Sequence, residues 1–404
     1  MISVEQALDT VLSSSGAPEK AAVRTAAAAG LVLAEDVLSD IDMPPFDRSA
    51  MDGFAISGEA DEHRLLEEIT AGDARHVTLR PGVGCPIMTG APVPEGADRV
   101  VMVEHARVDG RVLRVECVPA PGANICWKGE DIRKGEVVLS RGTRLSGQHL
   151  GIAAMAGRGV LQVYRRPGIG LVTTGTEVVP ATWAPAPGKV RNANLPLMES
   201  ILSMNGFTDT VMLHSSDDPD SLKETYSQLL DSCGVLITAG GVSMGTRDFV
   251  PSVLESLGVD LLFTEVAQKP GKPLTFGLGP AGQPVFGLPG NPVSVLVSME
   301  EYVLPLLRRM SGLGSFRKRT FHGRMMSACC KNPGRLHYLR VKATEADGPA
   351  WTLHLPKTSG SGDLMSTSAV NALALAEQDL PAVSEGDLLP FHFLSTSAGE
   401  LSFE

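Results

Sequence analysis

Three apolar runs that each lead into a glycine-rich turn constrain the fold of this chain more than any other feature of its sequence. The runs span residues 168–172, 234–237 and 285–288, and segments after them, such as 195–205, have helical composition. Strands that alternate with helices form a parallel sheet covered on both faces, because each connecting helix packs back onto the sheet. We therefore predict an α/β domain with a parallel sheet over residues 167–313.

Two apolar segments outside this domain have the pattern of helices. Ser3 and Gln6 have the spacing of a capping box, and apolar residues follow them at helical intervals. A second stretch of helical composition spans residues 147–156. We expect the two helices to belong to one split helical domain formed by residues 1–40 and 140–166.

The remaining segments are rich in short β-prone runs. Between residues 41 and 139 such runs are broken repeatedly by glycine and proline, which predicts a β-rich insert. Beyond residue 313, the runs at 335–341, 351–355 and 388–394 also have strand composition. These runs predict a small β domain over residues 314–404.

Bulk composition excludes several classes of protein. A chain of 404 residues exceeds what one hydrophobic core serves. Its net charge of −11 argues against nucleic-acid binding, which needs a basic surface to displace counterions from phosphates. No segment reaches the ~18 apolar residues of a membrane helix, and the first residues lack a signal-peptide pattern. We expect a cytoplasmic protein that binds neither nucleic acid nor membrane.

The glycine-rich turns are candidate anion sites. Backbone N–H groups are exposed where parallel strands end, and open α/β sheets bind ligands there. One such turn is more often an ordinary loop, but three in one domain, with Glu177 and Asp248 nearby, favour a ligand site. Pro273 follows Lys272 where a phosphate-binding loop needs serine or threonine, so a nucleotide-binding P-loop is excluded.

Carboxylates at strand ends can bind a hard cation such as Mg²⁺, which takes its other ligands from water and phosphate oxygens. Asp217 and Asp218 stand immediately before Pro219. At that position an aspartate could equally well cap the following helix. The sequence leaves both roles open for this pair.

Seven sequence motifs resemble those of one family. In chain order they are PPFDRSAMDGF (44–54), MTGAPVP (88–94), GED (129–131), TGTE (174–177), GGVSMG (240–245), KPGKP (269–273) and LPGNPVS (288–294). Their content and order resemble the molybdopterin molybdenumtransferases, relatives of the gephyrin E domain, along nearly the whole chain. The resemblance implies a split helical domain, a β insert, a molybdopterin-binding α/β domain and a C-terminal β barrel.

The same resemblance implies the activity and the partners. The substrates would be adenylylated molybdopterin and molybdate, and the products molybdenum cofactor and AMP, with Mg²⁺ as the divalent cation. Family members form homodimers in which the β insert of one subunit faces the α/β domain of the other, and a molybdopterin adenylyltransferase is an expected partner. Two alternatives stay open: a tungstate-specific paralogue and a non-catalytic scaffold that retains the fold.

The resemblance also implies catalytic residues. Among them, Asp217 and Asp248 would bind Mg²⁺, and Asp248 is the stronger candidate because it lies three residues beyond the glycine turn. The family's functional acidic residues and its threonine fall on Asp52, Thr89, Asp131, Glu177, Asp217 and Asp248.

Substrate-binding residues are implied in the α/β domain and the C-terminal domain. The molybdate pocket falls on Lys272, Pro273 and Ser294, with Arg340 and Ser361 contributed by the C-terminal domain. The full predicted set is Gly240, Gly241, Ser243, Gly245, Lys269, Lys272, Pro273, Asn291, Ser294, Arg340 and Ser361.

Three positions depart from the family's usual residues. Cys126 stands where an arginine is common, Glu265 where a basic residue is common, and Asp363 where histidine or arginine is frequent. Each change removes or reverses a positive charge near a predicted anion site. We expect these positions to affect metal choice or rate.

Overall fold

The computed structural model describes all residues except 74, 243–248, 332, 346–350 and 361, together with the side chains of 400 and 401. The chain divides into two compact units. The first comprises Met1–Ala21, Gly30–Ala34 and Gln162–Glu404, and the second comprises Ala22–Ala29 and Glu35–Leu161. Four predicted domains subdivide the chain more finely than these two units, and their boundaries stay predictions.

Strands in the first 164 residues are short. They are β1 (Lys20–Arg24), β2 (Val32–Leu33), β3 (Val37–Leu38), β4 (Arg48–Ser49), β5 (Gly53–Ile56), β6 (Glu62–Leu65), β7 (Val83–Ile87), β8 (Arg99–Met102), β9 (Ala106–Asp109), β10 (Val112–Val115), β11 (Ile125–Cys126), β12 (Val137–Leu139) and β13 (Val160–Tyr164).

Later strands form the α/β sheet and the C-terminal barrel. They are β14 (Ile169–Thr174), β15 (Val178–Val179), β16 (Val190–Arg191), β17 (Thr210–Ser215), β18 (Val235–Ala239), β19 (Asp260–Phe263), β20 (Gln268–Lys269), β21 (Thr275–Leu278), β22 (Pro284–Leu288), β23 (Phe321–Met325), β24 (Cys329–Cys330), β25 (Leu336–Glu345), β26 (Trp351–His354), β27 (Ala372–Ala376), β28 (Ala382–Val383) and β29 (Leu388–Phe393).

Helices occur in both units. They are α1 (Val4–Ser13), α2 (Gly147–Met155), α3 (Asn194–Met204), α4 (Pro219–Ser232), α5 (Val250–Ser256), α6 (Pro292–Ser298), α7 (Leu304–Met310) and α8 (Ser395–Ala398). A π-helical turn, Met299–Val303, joins α6 to α7, so the helix predicted to start at Pro292 continues to Met310 with one interruption. In the described part of the chain, no helix is long and apolar enough to cross a membrane.

The first helix begins as the sequence predicts. The backbone N–H of Gln6 donates to Oγ of Ser3 at 3.1 Å, and the N–H of Ser3 donates to Oε1 of Gln6 at 3.0 Å. This reciprocal cap satisfies two amide groups that would otherwise lack partners at the helix start. Ala7, Val11 and Leu12 are the buried residues of α1, so the predicted amphipathic helix is confirmed.

A six-stranded sheet with the order β8-β5-β7-β6-β10-β9 forms the centre of the second unit. Ala55, Ile56 and Val100 of this sheet are completely buried. At Gly53, a Cβ atom would lie 1.9 Å from the carbonyl oxygen of Val101 on β8, so only glycine allows these strands to pair. The structure thus explains one glycine of the predicted motif at 44–54.

The α/β sheet of the first unit has the order β17-β14-β18-β22-β21-β19. Strands β17, β14, β18 and β22 are parallel, as predicted, whereas β21 runs antiparallel to both of its neighbours. All residues of β14, β18 and β22 are buried, because helices cover both faces. The carboxyl ends of the parallel strands therefore meet at one edge of the sheet.

A closed five-stranded barrel with the order β25-β26-β23-β29-β27 follows, and pairing of β25 with β27 closes it. Trp351, Phe391 and Phe393 pack edge to face inside it, with ring centroids 5.1 to 6.2 Å apart. Such contacts stabilise a small β core beyond the burial of area. The predicted fold class, including the C-terminal β barrel, is confirmed.

Candidate functional site

A cavity of about 640 Å³ lies at the carboxyl edge of the parallel strands. It is bordered by the turns that follow these strands, because the chain reverses direction after each strand and open α/β sheets bind ligands at this edge. The structure brings together six of the predicted site residues around this cavity, namely Glu177, Asp217, Gly240, Gly241, Pro273 and Asn291.

Asp217 is oriented by the turn after β14. Its Oδ2 atom accepts hydrogen bonds from the backbone N–H of Thr176 at 3.0 Å and from the Thr176 hydroxyl at 3.2 Å. Asp218 has the other role that the sequence left open, since its side chain accepts from the N–H of Ser221 and caps α4. Asp217 is therefore the member of the pair that borders the cavity.

Two glycines after β18 shape the floor of the cavity. Gly240 and Gly241 have φ angles of +107° and +63°, a region that side chains with a Cβ rarely adopt. A Cβ on Gly240 would lie 2.6 Å from Oγ1 of Thr174. The N–H of Gly240 donates to the carbonyl of Leu288 at 3.0 Å, which holds the start of the turn against β22. The predicted residues Ser243, Gly245 and Asp248, which follow in the sequence, lie outside the described residues.

Asparagines at the start of α3 complete the cavity and were not singled out from the sequence. Nδ2 of Asn194 donates to the carbonyl of Gly290 at 2.8 Å, and Oδ1 of Asn192 accepts from the N–H of Leu195. Oγ1 of Thr174 and Oδ1 of Asn194 are buried without a hydrogen-bond partner among the described residues. The one sequence signal for these asparagines was their position at a predicted helix start.

A second cavity, of about 720 Å³, adjoins the first, and Pro273, Pro289 and Asn291 line both. Four cationic side chains border it: Lys269, Lys272, Arg335 and Arg340. Ser294 and residues of β25 also line it. The predicted molybdate residues Lys272, Pro273, Ser294 and Arg340 are thus brought together, while Ser361 lies outside the described residues.

A buried polar contact supports the turn that carries the two lysines. The Tyr302 hydroxyl donates to Oε1 of Gln268 at 2.5 Å, and Nε2 of Gln268 donates to the carbonyl of Gly271 at 3.1 Å. Gly271 has a φ of +88°, so its conformation also requires glycine. Sequence reasoning missed Gln268 and Tyr302, because they lie 34 positions apart and nothing local relates them.

Glu265, one of the three departures, contacts a predicted molybdate ligand. Its Oε1 lies 2.8 Å from Nζ of Lys272, and the two side chains are 24 % and 41 % exposed. The negative charge at this position therefore acts directly on Lys272.

Arg340 binds the loop that follows β26. Its Nη1 donates to the carbonyl of Asp363 at 2.9 Å and to Oγ of Ser366 at 2.6 Å, and its Nη2 donates to Oγ1 of Thr358 at 2.5 Å. Burial lowers the pKa of the guanidinium below its ordinary value, against the opposing effect of Asp363. The guanidinium orders this loop as well as contributing charge to the cavity.

Asp363 stabilises the same loop. Its carboxylate accepts hydrogen bonds from the backbone N–H of Ser359 at 3.1 Å and of Ser366 at 3.2 Å. These bonds lower the pKa of Asp363, so the carboxylate remains ionised at neutral pH. A residue that departs from the family pattern is thus part of the loop's internal structure.

His337 is a buried imidazole on β25 that borders the second cavity. Burial, aided by the charges of Lys269, Lys331 and Arg335, lowers its pKa to about 4. The ring is therefore neutral at pH 7, and its Nε2 has no partner among the described residues. Sequence reasoning did not select it.

The second unit holds the other predicted catalytic residues. Oδ1 of Asp52 accepts from the N–H of Thr89 at 2.7 Å and from its hydroxyl at 2.8 Å, which lowers the pKa of Asp52. The backbone N–H of Asp131 donates to the carbonyl of Met43 at 3.0 Å. Cys126 has a raised pKa, because burial and the carboxylate of Glu130 disfavour the thiolate.

Comparison with known proteins identifies the family. Residues 2–157 match the family described as MoeA N-terminal region (domain I and II), and residues 170–309 match the one described as probable molybdopterin binding domain. A molybdopterin molybdenumtransferase of Synechococcus elongatus is 39 % identical over 292 residues, 68 % of this chain and 72 % of that protein. One of Nostoc sp. is 32 % identical over 378 residues, 89 % of this chain and 85 % of that protein. The chain belongs to the molybdopterin molybdenumtransferase family.

A solved structure agrees with this membership. The molybdopterin biosynthesis moea protein from Pyrococcus horikosii matches with a TM-score of 0.83 at 27 % identity, covering 98 % of this chain and 99 % of that one. The resemblance found in the sequence motifs is therefore confirmed. As a molybdopterin molybdenumtransferase family member, the chain is an enzyme of molybdenum cofactor biosynthesis.

Proposed function

We propose that this enzyme inserts molybdate into adenylylated molybdopterin and releases AMP in a Mg²⁺-dependent reaction. The observation that carries the proposal is the continuity of two cavities with complementary chemistry. One combines carboxylates with a positive-φ glycine turn, the other combines cations with a serine, and Pro273, Pro289 and Asn291 line both. A substrate with a phosphate part and a metal-accepting part would occupy both at once.

Phosphate groups fit the first cavity. Gly241 lies in a positive-φ turn that lines the cavity, and concave arrangements of backbone N–H groups in such turns bind anions. Asn194 and Thr174 add polar atoms at the same wall. These residues would hold the phosphoanhydride of the adenylylated substrate in a fixed position.

The carboxylates of the same cavity fit Mg²⁺. Asp217 uses Oδ2 for Thr176, and its Oδ1 accepts no hydrogen bond from a described residue. Mg²⁺ needs one or two such carboxylate oxygens, with phosphate and water oxygens as its remaining ligands. Asp217 would hold the ion together with Glu177, which lines the same cavity, and with Asp248, which the resemblance to the family implies as a ligand. The bound ion would neutralise charge on the phosphates as the anhydride is cleaved.

Molybdate fits the second cavity. A tetrahedral dianion is bound by cationic donors and hydroxyl groups that converge in a cleft. Lys269, Lys272 and Ser294 supply such donors, and Arg340 contributes positive charge while it orders the loop. We expect these groups to place molybdate beside the dithiolene sulfurs of the substrate.

A homodimer, formed in the cytoplasm, is the proposed assembly. Apolar side chains next to Asp52 and Thr89 support it, since Met51 and Met88 are 42 % and 44 % exposed. Phe46 and Trp127 are also largely exposed in this unit. Contiguous patches of exposed apolar side chains mark protein–protein interfaces. Light scattering of the purified chain tests the assembly, and a monomer at micromolar concentration would contradict it.

The function is tested by incubating the full chain with adenylylated molybdopterin, Mg²⁺ and either molybdate or tungstate, while AMP and metal incorporation are measured. Molybdate should support both. Incorporation of tungstate alone would indicate a tungstate-specific enzyme, and no turnover with either oxyanion would favour a scaffold.

Adjacent aspartates provide a matched pair of variants for the same assay. Asp217→Asn and Asp248→Asn should abolish AMP release, because the amide cannot replace the carboxylate toward Mg²⁺. Asp218→Asn should retain release, since asparagine also caps helices. Normal AMP release by the Asp217 and Asp248 variants would overturn the metal assignment.

A further inference from the structure

The backbone holds Glu265 and Lys272 close to each other. The N–H of Val266 donates to the carbonyl of Lys272 at 2.9 Å, which closes the segment between them. The N–H of Ile2 donates to the carbonyl of Glu265 at 3.1 Å, and Ile2 forms a β-bridge with Val266. Because the main chain is fixed at both positions, the 2.8 Å contact between their side chains is built into the fold.

Lys272 differs from the other cations of the cavity. Arg340 donates to neutral oxygens of the 358–366 loop, and Lys269 is exposed on β20. Among the described residues that line this cavity, Lys272 is the cation in an ion pair with a carboxylate. The oxyanion thus competes with a group of the protein itself for this lysine.

We propose that Glu265 is an internal counter-ion of Lys272 that weakens oxyanion binding, so that molybdate binds by displacing the carboxylate. This inference rests on the proposed function, because it concerns the affinity of that same site. A carboxylate at 2.8 Å occupies a donor that the oxyanion needs. After displacement, Glu265 remains beside the bound anion and repels it.

The repulsion between Glu265 and the bound anion depends on the charge of that anion. Coulomb repulsion from one carboxylate is twice as large for a dianion as for a monoanion at the same distance. The cost of freeing Lys272 is the same for both. Removal of the carboxylate should therefore favour molybdate more than perchlorate, which is also tetrahedral but carries one charge.

The experiment measures binding of molybdate, tungstate and perchlorate to the full chain by isothermal titration calorimetry. Glu265→Gln should increase molybdate and tungstate affinity by about fivefold, the order expected for a partly exposed ion pair. The perchlorate affinity should rise by a smaller factor. Glu265→Ala is the second variant, because glutamine can still accept a hydrogen bond from Lys272.

Two controls separate this inference from the proposed function. Glu224→Gln, an exposed position on α4, removes the same charge outside the lining of the cavity and should leave all three affinities unchanged. Lys272→Met should weaken molybdate binding if the molybdate site is correct. Unchanged binding in Lys272→Met would overturn the site itself. A different outcome would overturn only the counter-ion role. In it, Lys272→Met weakens molybdate binding, but both Glu265 variants leave the three anion affinities unchanged or raise all three by the same factor.

Discussion

The hydroxyl of Tyr302 donates a 2.5 Å hydrogen bond to Oε1 of Gln268, and both side chains are fully buried. Gln268 in turn holds the carbonyl of Gly271, so the pair connects the helical layer to the turn that carries Lys269 and Lys272. Gln268 lines the second cavity, whereas Tyr302 does not. The hydrogen bond between Tyr302 and Gln268 therefore stabilises the turn that carries Lys269 and Lys272.

Tyr302→Phe should therefore loosen the lysine turn. The variant leaves a buried amide oxygen without its donor, which costs about 1–3 kcal/mol of unfolding free energy. We expect this loss in urea unfolding, together with weaker molybdate binding. Tyr226→Phe is the matched control, because Tyr226 makes an equally buried hydrogen bond to Thr238, which does not contact the lysine turn. It should lower stability and leave molybdate binding intact; equal binding loss in both variants would contradict the supporting role.

Gly240→Ala should impair the phosphate part of the site. The added Cβ would lie 2.6 Å from Oγ1 of Thr174 at a φ of +107°, so the turn must shift. Backbone strain of this kind costs about 1–3 kcal/mol. AMP binding, measured by calorimetry, should weaken at least as much as stability falls. Gly282→Ala controls for strain alone, since its φ is +79° and no atom lies within 4 Å of the added Cβ; it should bind AMP normally.

His337 should make stability depend on pH. Its pKa is lowered from 6.5 to about 4 in the folded chain, so the unfolded chain binds more protons between these values. Stability should therefore fall as the pH drops from 6.5 toward 4, by about 1–3 kcal/mol after allowance for solvent screening. Urea unfolding at pH 7 and pH 5 measures the change. His337→Gln should reduce it, whereas His322→Gln, at an exposed position, should not.

Thr89 should control the ionisation of Asp52. Its two hydrogen bonds favour the carboxylate, so the pKa of Asp52 lies below the ordinary value of 3.8. The resulting stabilisation is present above 3.8 and is lost as the pH falls through the lowered pKa. Thr89→Val removes the hydroxyl donor and should move the pKa of Asp52 upward in an NMR titration. An unmoved pKa would show that the backbone N–H alone sets it.

Local signals predicted much of the fold. Ser3 and Gln6 form the predicted capping box, and the apolar runs at 168–172, 234–237 and 285–288 overlap β14, β18 and β22. These features depend on neighbouring residues, so a single sequence is sufficient to reveal them. The antiparallel direction of β21 was missed, because strand direction depends on how the chain returns to the sheet.

The candidate site was predicted less completely. Glycine turns such as Gly240–Gly241 were found because the positive φ angles of a turn require glycines that are adjacent in sequence. The ion pair of Glu265 with Lys272 was not, since it depends on the hydrogen bond that closes the intervening segment. Asp363 was expected to affect metal choice or rate, and its hydrogen bonds to Ser359 and Ser366 show a structural role that the sequence did not indicate.

The pairing of β20 with β25 has a consequence for insertions and deletions. Lys269 lies opposite His337 in this ladder, and Arg340 follows three residues later on the same strand. At about 3.3 Å per residue, the strand places Arg340 roughly 10 Å along β25 from the position that pairs with Lys269. Adding or removing one residue between His337 and Arg340 would turn the guanidinium to the opposite side of the barrel wall. This short stretch should accept substitutions in related enzymes but not changes of length.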